Sequence, residues 1–512
     1  MANDATPYIT DRRFFGHPRG LATLFFTEMW ERFSYYGLRP LLILFMAAAL
    51  MDGGFGFDRS QASAIVGIYA ASVYVASLPG GWVADRLLGL RRAILIGAAL
   101  ITSGHLSVGL SGLAGPGAGK IFFFLGLILI VLGTGLLKPN ISAIVGDLYP
   151  EGGARRDAGF SIFYMGINLG AFLGQIITGL LGETIGWHYG FGAAGFGMFL
   201  GLLVFWRSAR HTLGPIGMDV VQHPDAAVQE RQERMVKLSL GIGLGLVAIV
   251  FALAATGAVT LDAQRIGQSM TLVLVGLALG FFAYVFLAGG LTKDEMKRVG
   301  VIVVLFIFAA IFWSAFEQAP TSLNLFARDF TDRAAGDWTI PATWFQSINS
   351  LFIIIFAPFF AVLWVGLAKR GLDFSSPTKF ALGLFLAGVG FLLMIIAANK
   401  VVASGGTALV SPWWLVASYF FQTLGELCLS PVGLSSMTKL APRKFVGQMM
   451  GIWFLAAAVG NLIAGLVGGH VDPEKLEEMP KLFTATTILL FGATVVLGAM
   501  VVPVRKLMAG VK

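Results

Sequence analysis

Apolar runs near the length of a membrane crossing recur fourteen times along the 512 residues, and this recurrence constrains the fold more than anything else in the chain. A bilayer core asks for roughly 20 apolar residues per helix, and in lipid each segment must satisfy its own backbone groups. The runs lie at about 21–50, 61–86, 92–113, 120–148, 157–182, 188–207, 237–260, 267–290, 297–328, 340–368, 378–399, 412–439, 445–469 and 481–505. Several exceed the minimum and are expected to tilt or to project beyond the membrane. With 56% hydrophobic and only 12% charged residues, the composition excludes a soluble globular domain and points to an all-α polytopic membrane protein. The single Cys428 excludes an internal disulfide, and the six histidines lack ligand spacing, so no metal and no cofactor are expected. Arg12, Arg13 and Arg19 precede the first run without a small-residue cleavage pattern, so no signal peptide is expected to be removed.

The net charge of +8 would suggest nucleic acid in a soluble chain, but here the positive-inside rule explains it more simply, and no nucleic-acid partner is expected. Alternate connections divide the 36 Lys and Arg unevenly. One set, including Arg12, Arg13, Arg19, Arg91, Arg92, Arg155, Arg156, Lys369, Arg370, Arg443 and Lys444, holds most of them. The other holds few, among them Arg59, Lys120, Arg265 and Arg328. By the positive-inside rule the rich set is cytoplasmic, which puts both termini on that side. A polar break at about 211–237 and the two runs after it divide the chain into three. These are an N-terminal six-helix bundle at 1–210, a linker with two additional transmembrane helices at 211–296, and a C-terminal six-helix bundle at 297–512. The two additional helices carry charge only at their ends, so they are expected to lie outside a transport path.

Residues Gly80-Gly81-Trp82-Val83-Ala84-Asp85-Arg86-Leu87-Leu88-Gly89-Leu90-Arg91-Arg92 resemble the loop signature of the major facilitator superfamily. The resemblance implies that Asp85 and Arg86 brace the cytoplasmic helix ends. It also implies two six-helix halves built from inverted three-helix repeats, with a substrate site at midplane between them.

A charge at mid-depth costs about 2.5–3.5 kcal/mol on insertion scales, so ionisable residues inside the runs mark function or pairing. In the first run Glu28, Arg32, Tyr35 and Arg39 share one helical face, flanked by Glu31 and Tyr36. A packing device would explain the Glu31–Arg32 couple alone; the whole stripe reads as the wall of a polar cavity. Tyr69 and Tyr74 line such a cavity or pack as interfacial aromatics. Lys138 follows the uncharged stretch Ile121–Leu137, so it pairs, deprotonates, meets an anionic ligand or snorkels. Pro139, next to it, lets the helix bend. Asn168 can donate and accept, which suits an amide-bearing ligand and equally suits helix-to-helix glue. Further along stand Trp313 and Glu317 at i, i+4, then Gln346 and Asn349, then Gln422, Glu426, Ser430 and Pro431, then Trp453 and Asn461. The first half thus supplies cations and the second supplies isolated carboxylates. That division suits a zwitterion, and it also suits charge pairs acting as gates.

Four stretches are together similar to the proton-dependent oligopeptide transporter family, within the major facilitator superfamily. They are Glu28-x-x-Glu31-Arg32-Phe33-x-Tyr35-Tyr36-Gly37, Gly135-Leu136-Leu137-Lys138-Pro139-Asn140, Phe163-Tyr164-x-x-Ile167-Asn168 and Gly425-Glu426-Leu427-Cys428-Leu429-Ser430-Pro431. The two additional helices also resemble those of bacterial members, which implies a plasma (inner) membrane location. The resemblance implies import of di- and tripeptides coupled to protons, with lipid as the surrounding medium. It implies that Arg39 and Lys138 receive the peptide carboxylate with Tyr35 and Tyr74. Glu426 would bind the amino terminus, Asn168 and Asn349 would hold terminal or backbone groups, and Trp313 and Trp453 would line side-chain pockets. Glu28, Glu31 and Arg32 would form the proton-linked network, and Glu317 would pair with Arg39 in a gate and take a proton itself. Pro139 and Pro431 would serve as structural bends.

One proton moving down 100 mV yields about 2.3 kcal/mol and each pH unit about 1.4 kcal/mol, enough together to concentrate a neutral peptide several hundred-fold. Two other readings stay open: the resemblance also implies, from variation within the family, a symporter of nitrate or a peptide-like drug, and the intramembrane acids allow an enzyme that uses them as catalysts. The absence of a Ser/His or metal constellation weighs against the enzyme.

Overall fold

The computed structural model describes residues 5–372 and 374–508. The extreme terminal residues, whose cytoplasmic side is expected from the charge pattern, lie outside that range. Fourteen long helices are found among the described residues. In the first part these are α1 Arg19–Ala47, α2 Arg59–Val83, α3 Leu90–Leu110, α4 Gly115–Asp147, α5 Gly153–Thr184 and α6 Trp187–Thr212. Then come α7 Ala226–Ala255, α8 Ala263–Ala288 and α9 Lys293–Phe316. The last five are α10 Trp344–Lys369, α11 Ser376–Ala403, α12 Trp413–Leu440, α13 Val446–Val467 and α14 Glu478–Leu507. Among the described residues, twelve helical spans are long and apolar enough to cross a membrane. The helices α1 and α12 are as long but carry polar and ionisable residues in mid-span, Glu28, Glu31 and Arg32 in one and Gln422 and Glu426 in the other.

Two expectations need correction. The run at 297–328 is not one helix: α9 stops at Phe316, a π-turn covers Ala319–Leu323, and a short helix follows at Asn324–Phe330. Pro320 has no N–H to offer the preceding turn, so the regular ladder cannot pass it. The linker at 211–237 is also partly helical, because α7 begins at Ala226 with Asp225 accepting a hydrogen bond from the amide of Ala227. Its first turns, rich in Gln, Glu, Arg and Lys, favour helix without burial.

The chain divides into two compact units. One holds the residues up to Leu41 with Ser72–Asp262, the other Leu42–Ala71 with everything from Ala263 on. Within the first unit α3 packs along α4, and the approach is set by glycines facing glycines. A Cβ on Gly97 would lie 2.6 Å from the carbonyl oxygen of Gly133, and one on Gly133 would lie 2.6 Å from that of Gly97. Gly104 and Gly126 repeat the reciprocal contact. In lipid, where burial of apolar surface gives helices little reason to associate, such close backbone packing is a main source of cohesion. Likewise Gly166, Gly170 and Gly174 of α5 seat Phe25, Met29 and Phe33 of α1, and Thr178 Oγ1 donates to the carbonyl of Gly37 at 2.8 Å.

Within the second unit the same device joins α11 to α12, through Gly383 and Gly425. The helix α8 lies along α13 and is fixed at both ends. Gln264 Nε2 donates to the carbonyl of Ser60 at 2.7 Å, and Lys444 reaches the carbonyl of Gly289 beyond the C-terminus. By contrast, the apolar stretch of α7 has no buried residue within its membrane-length window. Between the short helix after α9 and α10, a two-residue hairpin pairs β1 Ala334–Ala335 with β2 Trp338–Thr339.

Candidate functional site

In the first unit, the polar stripe of α1 is a dry ion cluster continued by aromatic rings. Arg32 Nε lies 3.1 Å from Glu28 Oε1 and also contacts Glu31, and all three side chains are at most 3% exposed. One turn on, the guanidinium carbon of Arg32 stands 5.4 Å from the centre of the Tyr35 ring, and that of Arg39 stands 6.0 Å from it. Tyr35 in turn meets Tyr36 edge to face. Tyr35 thus bridges two cations by its π-face.

Lys138 sits 4.4 Å from the centre of the Tyr74 ring and is close enough to act electrostatically on Glu28. Tyr74 is the half-buried member of its pair, whereas Tyr69 is buried. Pro139 lies inside α4, four residues after Gly135, whose carbonyl therefore lacks its helical donor. Gly80 of α2 packs against that same carbonyl, a place where only hydrogen fits. Asn168 is buried and donates to the carbonyl of Tyr164 in its own helix at 3.0 Å. Its Oδ1 is the atom left for another group.

The loop after α2 winds as a π-turn over Ala84–Leu88 and is held by the segment that follows α6. The carbonyl of Asp85 accepts from the amide of Val221, and the amide and guanidinium of Arg91 donate to the carbonyls of Gly217 and Gly214. Gly89 takes a positive φ of 76° with the carbonyl of Met218 against it, so no side chain could stand there. The side chain of Asp85 is exposed and Arg86 half-buried.

The second unit carries the carboxylates. Asn349 Nδ2 donates to Glu426 Oε2 at 3.1 Å and to Thr423 Oγ1 at 2.9 Å. Glu317 is buried and near enough to Glu426 to act on it as a like charge. The Glu317 amide makes the last α-helical hydrogen bond of α9, to the carbonyl of Trp313, so the two residues sit one turn apart where the helix gives way. Beside it Gln318 Nε2 donates to Thr486 Oγ1 at 3.2 Å, anchoring the break to α14. Trp313 is buried between Phe312 and Phe316, edge to face with both, and Gly460 packs on its Cβ. Trp453 is also buried, against Gly433 and 6.3 Å from Phe380 between ring centres. Pro431 lies inside α12, five residues after Glu426.

One cluster was not anticipated. Arg59, at the start of α2, donates from Nη1 to Asp329 Oδ2 at 2.5 Å and to the carbonyl of Val471 at 2.9 Å, with Asp472 3.9 Å from its Nε. Asp329 is bonded as well by Arg328 Nε at 2.8 Å. In sequence these residues are scattered over three connections; only their adjacency to helix ends hinted at a role. Thr423 was missed for a different reason, since a lone threonine in an apolar helix normally bonds its own backbone.

A family model described as the POT family matches residues 91–482. The chain belongs to the POT family. The peptide transporter YePEPT of Yersinia enterocolitica subsp. palearctica is 48% identical over 501 residues, spanning 97% of this chain and 96% of that protein. The di-/tripeptide transporter of Lactococcus lactis subsp. cremoris is 35% identical over 98% of this chain and 99% of its own length. A crystal structure of the peptide transporter POT in complex with sulfate superposes with a TM-score of 0.88 at 41% identity, covering 99% of this chain and 100% of that one. This POT-family chain is therefore an integral membrane protein with the all-α major facilitator fold, and it is a transporter rather than an enzyme.

Proposed function

We propose that this chain is a proton-coupled symporter that takes up di- and tripeptides by alternating access. The observation that carries the reading is the buried Glu28–Arg32–Glu31 cluster, in a POT-family chain whose relatives are described as peptide transporters. Three ionisable groups sealed in one helix serve proton movement better than they serve stability, since a buried ion pair is seldom a net gain over apolar packing. In this reading Glu28, Glu31, Arg32 and Glu317 handle the proton. Arg39 and Lys138, with Tyr35 and Tyr74 stacked beside them, are the cations of the first unit suited to a peptide carboxylate. Glu426, held by Asn349, is the acid of the second unit suited to the peptide amine. The free Oδ1 of Asn168 suits a backbone N–H, and Trp313 and Trp453 give apolar walls for side chains.

The organisation is proposed as 1–210 and 297–512 for the two six-helix bundles, with 211–296 between them in sequence. Both termini are assigned to the cytoplasm and the protein to the inner membrane, from the Lys and Arg distribution. The Arg59–Asp329–Asp472 cluster lies at the opposite helix ends and is assigned as a latch within the second unit.

The test is uptake of radiolabelled dialanine into proteoliposomes with and without an inward proton gradient. Accumulation above equilibrium only with the gradient is expected. Uptake no greater than in protein-free liposomes would refute the reading. Gradient-driven accumulation of nitrate in the same proteoliposomes, without uptake of dialanine, would move the chain to an inorganic-anion substrate.

A further inference from the structure

Resting on the peptide-transport reading, we infer that Thr423 is a positioning residue that decides which end of the Asn349 amide a peptide meets. Thr423 is fully buried on α12, one turn before Glu426 and on the same face. Its hydroxyl donates to the carbonyl of Tyr419 at 2.7 Å. A hydroxyl has one proton, so with that bond made its oxygen can only accept. Asn349 must therefore turn its nitrogen, not its oxygen, toward Thr423, and it does so at 2.9 Å. The same nitrogen donates to Glu426 Oε2 at 3.1 Å. Both amide hydrogens are now committed. Rotating the amide by half a turn would set Oδ1 against a carboxylate oxygen and a hydroxyl lone pair.

The consequence is a matched pair of acceptors. Asn349 Oδ1 and the second oxygen of Glu426 remain for an incoming molecule, and neither can donate when Glu426 is ionised. Such a pair recognises a group rich in donors and refuses one with lone pairs to place. A free peptide ammonium has three N–H bonds; a hydroxyl in its place has one O–H and two lone pairs. Thr423 thereby enforces preference for the amine without touching the substrate.

Wild type, Thr423→Val and Thr423→Ser are compared in proteoliposomes, measuring KM and Vmax for dialanine and inhibition of its uptake by lactoyl-alanine, which carries a hydroxyl in place of the amine. Valine keeps the shape and removes the acceptor. It should raise the KM for dialanine about tenfold, the scale of one well-formed hydrogen bond, with Vmax within about twofold. It should also narrow the preference for dialanine over lactoyl-alanine. Serine restores the hydroxyl and should restore both quantities. Unchanged KM and unchanged preference in the valine variant would overturn the assignment. So would a serine variant as impaired as valine, because packing of the methyl group would then explain the effect. If the valine variant does not purify as a folded protein, Thr423→Ala carries the same measurements. Failure of wild type to take up dialanine at all would refute the transport reading itself, and this inference with it.

Discussion

Replacing Arg32 by Gln should destabilise the protein far more than neutralising the whole cluster around it. Glu28 and Glu31 flank Arg32, and none of the three side chains is more than 3% exposed, so the arginine is the main charge that makes two buried carboxylates tolerable. Removing one partner of a buried ion pair typically costs about 3–5 kcal/mol, because the other partner stays desolvated without compensation. Domain stabilities run to about 5–15 kcal/mol, so a loss of that size takes a large share of the total. Neutralising all three residues leaves no charge to strand, and exchange of a buried ionic group for neutral side chains of similar volume is close to neutral or stabilising. The triple variant Glu28→Gln, Glu31→Gln, Arg32→Gln should accordingly unfold near the wild-type temperature.

The assay is thermal unfolding of detergent-purified protein followed by intrinsic tryptophan fluorescence, for which the chain has 11 tryptophans. The same preparations are then reconstituted. Exchange of dialanine down a peptide gradient should survive in the triple variant, while accumulation driven by a proton gradient should not. Equal stability of wild type and Arg32→Gln would refute the argument that the cluster is dry and mutually dependent. A triple variant as unstable as the single one would refute it too. Gradient-driven accumulation by the triple variant would remove these residues from the proton path.

Four further outcomes are expected. Glu426→Gln should impair dialanine uptake with expression intact, and unchanged uptake would exclude it as the amine site. Gly97→Ala places a methyl group 2.6 Å from the Gly133 carbonyl oxygen and should lower thermal stability, whereas Gly192→Ala, in the same unit with open space around it, should not. Asp329→Asn removes the nearer of the two ionic partners of Arg59 and should increase accessibility of a cysteine placed at the buried position 471 to a membrane-impermeant thiol reagent; equal labelling would exclude a latch. Just before α1, His17 Nδ1 meets Tyr149 Oη at 2.8 Å, and burial pushes the Tyr149 phenol up to about 12. A raised folded-state value means that the protonated phenol is favoured in the fold. Its contribution is complete below the ordinary tyrosine value of about 10 and is lost as pH climbs toward the folded value. Protease protection of the segment before α1 should thus be flat through neutral pH and fall above about pH 10. Tyr149→Phe should abolish that alkaline limb.

The helices and the α1 stripe were legible because their signals are local. Residue spacing along one helix put Glu28, Arg32, Tyr35 and Arg39 on one face, and the structure joins them through Arg32 and Tyr35 without help from any other element. Lys138 was legible as an anomaly, a cation after a long uncharged stretch, though not as a partner of the Tyr74 ring. The helix break at Glu317 was readable in principle from Pro320, but Phe, Ala and Leu on both sides kept the hydropathy high and concealed it. Hydropathy reports solvent, not backbone geometry.

What stayed hidden depends on where a hydrogen bond points. Asn349 and Glu426 both stand out as polar residues inside apolar runs, yet whether the amide shows its nitrogen or its oxygen is decided by Thr423, and Thr423 is decided by the carbonyl of Tyr419 one turn earlier. Each link is an ordinary side-chain preference; the order in which donors are used up turns them into a directed chain. Arg59 illustrates the same limit on a larger scale. Its charge was counted among the few on the less basic side, and its meaning came only when folding brought Asp329 and the carbonyl of Val471, hundreds of residues away in sequence, to its guanidinium. Periodicity can place a polar group on a face. It cannot say which of its atoms will still be unused when the neighbouring helix arrives, and in a site built from donors and acceptors that remainder is what the substrate meets.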